Sequence, residues 1–327
     1  MHPAYSVIFL TTLIGVGQGL FLALYTGQIY SVMKLLPPQD SHNFYAIGSL
    51  IALSFLVAGL FASFFHLGRP ERGWRAISQW RTSWLSREVI VLPKTLFLIA
   101  LYGLVHYFDW TGPLFVLADT YPIDLSLLIG ALATLSTFAL FVCTGMIYAC
   151  IKFLQEWHNP LTVMNYILLG GSSGFTLAAA FSALVKSDFV SFYAGWAIIL
   201  TLAAFLSRSA TLLRNNRLKH KSNLQTAIGV RHTMITQKAQ GAMGGSFNTR
   251  EFFHHQRENT LKTLKTIFMF LVFPIPIILL LITVSGLIPI GLSIAAFIIQ
   301  YVGLIIERWY FFAEARHPQN LYYQSVA

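Results

Sequence analysis

Residues 49–90 read SLIALSFLVAGLFASFFHLGRPERGWRAISQWRTSWLSREVI. The first seventeen carry no charge, whereas the next 25 hold five arginines, two glutamates, a histidine and three tryptophans. The uncharged run begins near residue 44 and matches the roughly 20 residues that a helix needs to cross a hydrocarbon core about 30 Å thick. Only a helix satisfies its own backbone there, so the stretch reads as the end of one span, a charged connection and the start of another.

Seven further stretches have the same character. The eight spans are predicted at about 5–30, 44–66, 88–108, 123–149, 163–185, 188–210, 263–286 and 289–310. Composition agrees: 56% of residues are hydrophobic and 10% charged, against about 25% charged in soluble domains. The fold class expected is all-α, a polytopic membrane protein of eight transmembrane helices with one long cytoplasmic loop, residues 211–262, for partner docking. Small residues within the spans, as in LLGGSSGFTLAAA (168–180), permit close helix approach. The start, MHPAYSVIFLTTLIGVGQGL, lacks the basic segment of a cleavable signal and runs on as a span.

Charge orients the bundle. With eight spans both termini share one side, together with the connections after spans 2, 4 and 6. Nineteen of the 22 basic residues fall there, counting Arg208 through Lys265 in the long loop and Arg308 with Arg316 in the tail. The other face has Lys34, Lys186 and five aspartates, Asp40, Asp109, Asp119, Asp124 and Asp188. The positive-inside rule makes the basic face, with both termini, cytoplasmic, and the expected location is the inner membrane of a bacterial cell.

The long connection opens on RSATLLRNNRLKHKSNLQTAIGVRH (208–232), a basic run suited to anionic lipid. Its later part, QGAMGGSFNTREFFHHQ (240–256), has Phe247, Arg250, Phe252 and Phe253, and the phenylalanines need apolar cover. These residues, with Arg72, Arg75 and Arg81, are expected to dock a partner.

The residues suited to chemistry are His66, at the end of span 2, and Glu88, at the start of span 3. An antiparallel helix pair brings them to one depth. Reduction of a quinone takes two electrons and two protons, and a histidine beside a partly buried glutamate is suited to exchange them. Arg69 sits beside the histidine; Trp74, Arg87, Glu156 and His158 are candidates to line the site. The plain alternative is that Arg and Trp here are interface anchors, but ionisable residues at a span edge are costly unless paired or used. Lys94 is expected to snorkel or to meet another helix, and His106 and Asp109 to be solvated.

Metal chemistry is expected elsewhere. The two cysteines, Cys143 and Cys150, read as small buried residues, and zinc or iron–sulfur sites need clustered ligands. Bis-histidine haem needs two imidazoles facing each other within the bilayer, whereas His66, His158, His254, His255 and His317 gather at one edge and His42 and His106 at the other. Neither haem nor a metal site is expected.

The run HLGRPERGWRAISQWRTSWLSREV, the segment WHNPLTVMNY and the eight-span layout resemble the membrane anchor subunit of the dimethyl sulfoxide reductase family, along essentially the whole chain. The resemblance implies partners: a molybdopterin catalytic subunit and a four-cluster iron–sulfur subunit, the latter in direct contact. It also implies electron exchange with ubiquinone or menaquinone. The family's quinol-site histidine and glutamate carry over onto His66 and Glu88, and an adjacent arginine onto Arg69. In the reductase itself the soluble subunits are periplasmic, whereas the charge count here places this loop in the cytoplasm. That difference, with TAIGVRH and GGSFNTREFF in the long loop, is similar to the branch whose partners oxidise sulfite to sulfate in the cytoplasm. Two other readings stay open: an anchor for an S- or N-oxide reductase, and a small-anion transporter with the arginines as a funnel. The transporter reading lacks a matched pair of broken spans.

Overall fold

The structure, a computed structural model, describes residues 1–117, 121–219, 223–236, 254, 256–285 and 290–318. Eight membrane-crossing lengths of helix are present among them. In chain order the helices are α1 (Tyr5–Val32), α2 (Ile47–Ser63), α3 (Trp84–Tyr107), α4 (Leu125–Ala149), α5 (Pro160–Leu184) and α6 (Val190–Asn216). Then follow the five-residue α7 (Leu224–Ile228), α8 (Glu258–Val272), α9 (Pro274–Val284) and α10 (Ile290–Glu314). A π turn, Ser41–Ala46, leads into α2, and a 3-10 turn, Phe64–His66, ends it.

Two features depart from eight plain spans. The seventh is broken into α8 and α9, because Pro274 has no amide hydrogen to continue the ladder of α8. Between α3 and α4 the chain forms an antiparallel hairpin, β1 (Pro113–Leu117) with β2 (Tyr121–Asp124). The run Leu114, Phe115, Val116 and Leu117 has strand propensity, and pairing with Tyr121–Asp124 satisfies backbone groups in this connection.

Helices α1 and α5 form the centre, buried along most of their length, while α2, α3, α4, α6 and the last two spans pack around them. The close approach is made by glycine. A Cβ placed on Gly174 would fall inside the backbone of Gly19, and one on Gly19 would meet the carbonyl of Gly170. Polar side chains then tie neighbouring helices inside the core. Gln18 donates to the Thr137 carbonyl (3.1 Å), Tyr102 to Gln28 Oε1 (2.8 Å) and Asn165 to Thr211 Oγ1 (2.9 Å). Such bonds matter between helices in lipid, where hydrophobic attraction between spans is absent.

The two ends of the described chain meet. The Met1 ammonium donates to the Ala315 carbonyl at 2.8 Å, and burial pushes its pKa down to about 5. The contact places both ends on the arginine-rich side, as an even number of spans requires.

Several expectations need correction. Arg208 and Arg308 are not loop and tail charges; they are 1% and 5% exposed inside α6 and α10. Leaving them out, fourteen basic residues among the described ones still belong to that end, so the charge asymmetry holds. His106 is buried, stacked on Tyr45 at 4.7 Å with Nδ1 2.7 Å from Ser41 Oγ. Cys143 is buried, but Cys150, at the end of α4, is exposed. Lys94 is exposed, consistent with a snorkelling side chain.

Replacing Gly174 with valine forces α1 and α5 apart. Overpacking of this kind costs about 1–3 kcal/mol or more. A thermal midpoint in detergent below that of the parent protein is expected, whereas Gly195→Val, at a glycine with open space around it, leaves the midpoint close to the parent value.

Candidate functional site at the arginine-rich end

The loop between α2 and α3 folds on itself. Pro70–Gln79 forms a 3-10 helix, and Ser83 caps α3 by accepting from the Ser86 amide. Arg87 donates from Nε to the Trp80 carbonyl (3.0 Å) and from Nη2 to the Arg81 carbonyl (2.8 Å), with its guanidinium 4.1 Å from the Trp84 ring centroid. That side chain is engaged in holding the loop. Arg75 and Arg81 stay exposed beside the rings of Trp74 and Trp80, and Arg72 pairs only with its exposed neighbour Glu71. Arg69 is exposed too.

His66 ends α2 with its ring exposed, next to exposed Phe65 and Leu67 and near Phe61, which meets Phe65 edge-on at 5.3 Å. Glu88, in the first turns of α3, is 9% exposed and meets α4 inside the bundle. Thr144 of α4 donates a short hydrogen bond to Glu88 Oε1. The two residues therefore sit at the same end of packed helices, yet no hydrogen bond or ion pair joins them.

Thr144 also lines a cavity of about 20 Å³ with Thr11, Gln18, Ser173, Tyr166 and Arg308. The Tyr166 hydroxyl is buried there, interacting with Tyr148 and Arg308. A polar cavity of that size has room for about one water.

Beyond the cavity lies an ionised core. Arg308 stacks on Tyr166 at 3.9 Å and pairs with Glu307 at 3.8 Å. Glu307 pairs in turn with Arg208 at 2.8 Å, and Arg208 with Glu314 at 3.8 Å. Arg208 is boxed by the rings of Phe268 and Tyr310. Glu314 and the buried Glu156 then face a surface cleft of about 540 Å³ with His254, Lys262, Lys265 and Arg316. Two cations and two anions balance, which is how buried ions persist in a low dielectric.

The segment WHNP is a strut. Trp157 Nε1 donates to the Phe311 carbonyl (2.9 Å), and Thr162 donates to the Trp157 carbonyl (2.7 Å). His158 Nδ1 lies 2.6 Å from the Ala149 carbonyl, while its own carbonyl accepts from Arg214 (3.3 Å). Of the lining candidates, Trp74 is exposed on the loop, Arg87 and His158 are engaged in local structure, and Glu156 belongs to the cleft. Phe247, Arg250, Phe252 and Phe253 lie outside the described residues. Among the described residues no three of His, Cys, Asp and Glu gather into a metal-binding group.

Sequence reasoning missed Thr144, Arg208, Glu307, Arg308 and Glu314. The signal was available for four of them, since charges within AAFLSRSATLL and GLIIERWYFFAEA are flanked by apolar residues on both sides. Thr144 gave none.

Eight membrane-length helices with an arginine-rich end make this a multispan membrane protein. The sequence pattern of the DMSO reductase anchor subunit (DmsC) family matches residues 1–323, and the chain belongs to that family. It is the membrane anchor of a multi-subunit oxidoreductase with catalytic and iron–sulfur partners. The chain is also 62% identical, over the full length of both proteins, to a sulfite dehydrogenase subunit of Allochromatium vinosum.

Removing one partner of a buried ion pair strands the other, at a cost of about 3–5 kcal/mol. Arg208→Met is therefore expected to lower the thermal midpoint or the yield of folded protein sharply. Arg72→Ala, at an exposed pair, should lie within about 0.5 kcal/mol of the parent protein.

Proposed function

We propose that this chain is the quinone-reacting anchor of a complex that oxidises sulfite to sulfate. Sulfite and water give sulfate, two protons and two electrons on a molybdopterin catalytic subunit. The electrons pass through a four-cluster iron–sulfur subunit to quinone, which takes up two protons to become quinol. The anchor's part is to bring quinone to the electron donor and to supply those protons.

The observation that carries the quinone site is that an exposed His66 and a buried Glu88, hydrogen-bonded to Thr144, stand at one end of adjacent helices. Phe61, Phe65 and Leu67 make an apolar lip open to the bilayer, the phase from which a quinone arrives. Arg69 stands beside it and can hold a ring oxygen by hydrogen bond. The exposed Arg72, Arg75 and Arg81 present a cationic face for the iron–sulfur subunit. The long loop, 211–262, is proposed to dock there as well. The full-length similarity to a sulfite dehydrogenase subunit supports sulfite as the substrate. An S- or N-oxide reductase anchor would use the same residues in the reverse direction, to oxidise quinol.

The charge asymmetry supports a bacterial inner membrane with both termini and the arginine-rich end cytoplasmic. Cys150 is exposed at that end and Cys143 is buried. A membrane-impermeant maleimide should label Cys150 of the unassembled subunit in inside-out vesicles and not in right-side-out ones; the reverse pattern would reject the orientation.

His66→Ala and Glu88→Gln should each leave the complex assembled and its turnover with an artificial dye intact, while quinone-linked turnover falls at least a hundredfold. Persistence of quinone-linked turnover in both variants would sink the site assignment. Because electrons and protons arrive from one side, sulfite-to-quinone turnover in proteoliposomes should build no membrane potential; a potential-sensitive dye reads this.

A further inference from the structure

Helices α2 and α3 carry the two residues assigned to quinone, and the same pair holds a second feature toward its other end. A groove of about 310 Å³ lies between them, lined by Ile47, Leu50 and Leu53 of α2 and by Ala100, Gly103 and Leu104 of α3. Leu50 and Leu104 are exposed, so the groove faces outward from the bundle. His42 and Tyr107, with rings 4.9 Å apart, line its far end.

The helix faces that form this groove continue toward the arginine-rich end. A step of seven residues returns to nearly the same side of a helix. On α2 that spacing runs Leu50, Val57, Phe64, all three exposed, and Phe64 begins the short turn that ends at His66. On α3 it runs Tyr107, Ala100, Pro93, with exposed Phe97 between the last two. An apolar track thus follows one helix pair from the lip at His66 toward the opposite membrane edge.

We propose that this track holds the polyprenyl tail of the quinone whose ring lies at His66, and that the site is thereby built for long-tailed quinones. The proposal rests on the quinone reading above and deepens it. Length favours such a tail over a phospholipid. From Leu50 to Phe64 the helical rise gives about 21 Å, whereas an acyl chain belongs to one leaflet, half of a core about 30 Å thick. A chain that starts at the arginine-rich end and follows the whole track outruns its leaflet, as a long polyprenyl tail does and a single acyl chain does not. Lipid is as apolar as the groove wall, so the tail gains packing and not hydrophobic energy. What the track supplies is direction: a tail laid between α2 and α3 brings its ring to Phe64 and His66 instead of elsewhere on the rim of the bundle.

The test measures turnover of the intact complex in liposomes with decaprenyl ubiquinone and with its monoprenyl analogue, or with the corresponding menaquinone pair where the parent complex reduces only that ring. Leu50→Trp and Leu104→Trp each put a large ring into the track at an exposed position, where folding is little affected. Each should raise KM for the long-tailed quinone about fivefold, a packing effect within an apolar solvent. The kcat, the KM of the short-tailed analogue and turnover with an artificial dye should keep their parent values. Leu135→Trp, at an exposed position on α4, should change none of these. An unchanged KM for the long-tailed quinone in both groove variants, an equal shift with the two quinones, or a like shift in Leu135→Trp overturns the tail assignment. In each of those cases a His66→Ala complex that is inactive with both quinones leaves the ring site standing. If His66→Ala turns over both quinones at the parent rate, the ring site falls, and the tail assignment with it.

Discussion

A charge within the hydrocarbon layer has no water to turn to, and most of this molecule follows from that constraint. Exposed arginines collect where the chain leaves the membrane, and those that stay inside find carboxylates or aromatic rings. Arg208 and Arg308 sit among Glu307, Glu314, Tyr166, Phe268 and Tyr310, an arrangement that takes α5, α6, α8 and α10 together to build. The same constraint acts on Glu88, whose buried carboxyl takes a hydrogen bond from Thr144 of α4.

Packing makes this possible. The glycine contact between α1 and α5 lets the two central backbones approach closely, and the remaining helices wrap around that pair. Thr11, Gln18, Gly170 and Ser173, part of the cavity wall, come from these two helices. Small and polar residues that look inert along the sequence thus shape a cavity beside Thr144 and Arg308.

The fold was largely legible in the sequence. Apolar runs of span length separated by charged connections specify eight helices, because lipid allows no other spanning backbone here. The hairpin at 113–124 and the break at Phe273–Pro274 were not read. The first depends on a strand partner across a loop, and the second on a proline inside a run that is otherwise long enough to span. The site was legible in part: His66 and Glu88 stand out as ionisable residues at span edges, but the direction each side chain takes does not follow from sequence. Arg208 and Arg308 were assigned to solvent because charge near the end of an apolar run is ordinarily a boundary marker.

The sequence by itself determined the class of this protein, its span count, its charge asymmetry and its family, since hydropathy and local motifs are properties of consecutive residues. Tertiary structure alone decided which charges are buried and what they meet. Arg208 and Glu307 lie 99 residues apart, and Glu88 and Thr144 lie 56 apart. Contacts across such separations depend on how helices rotate against one another, and hydropathy, being nearly uniform around a membrane helix, carries little information about that rotation.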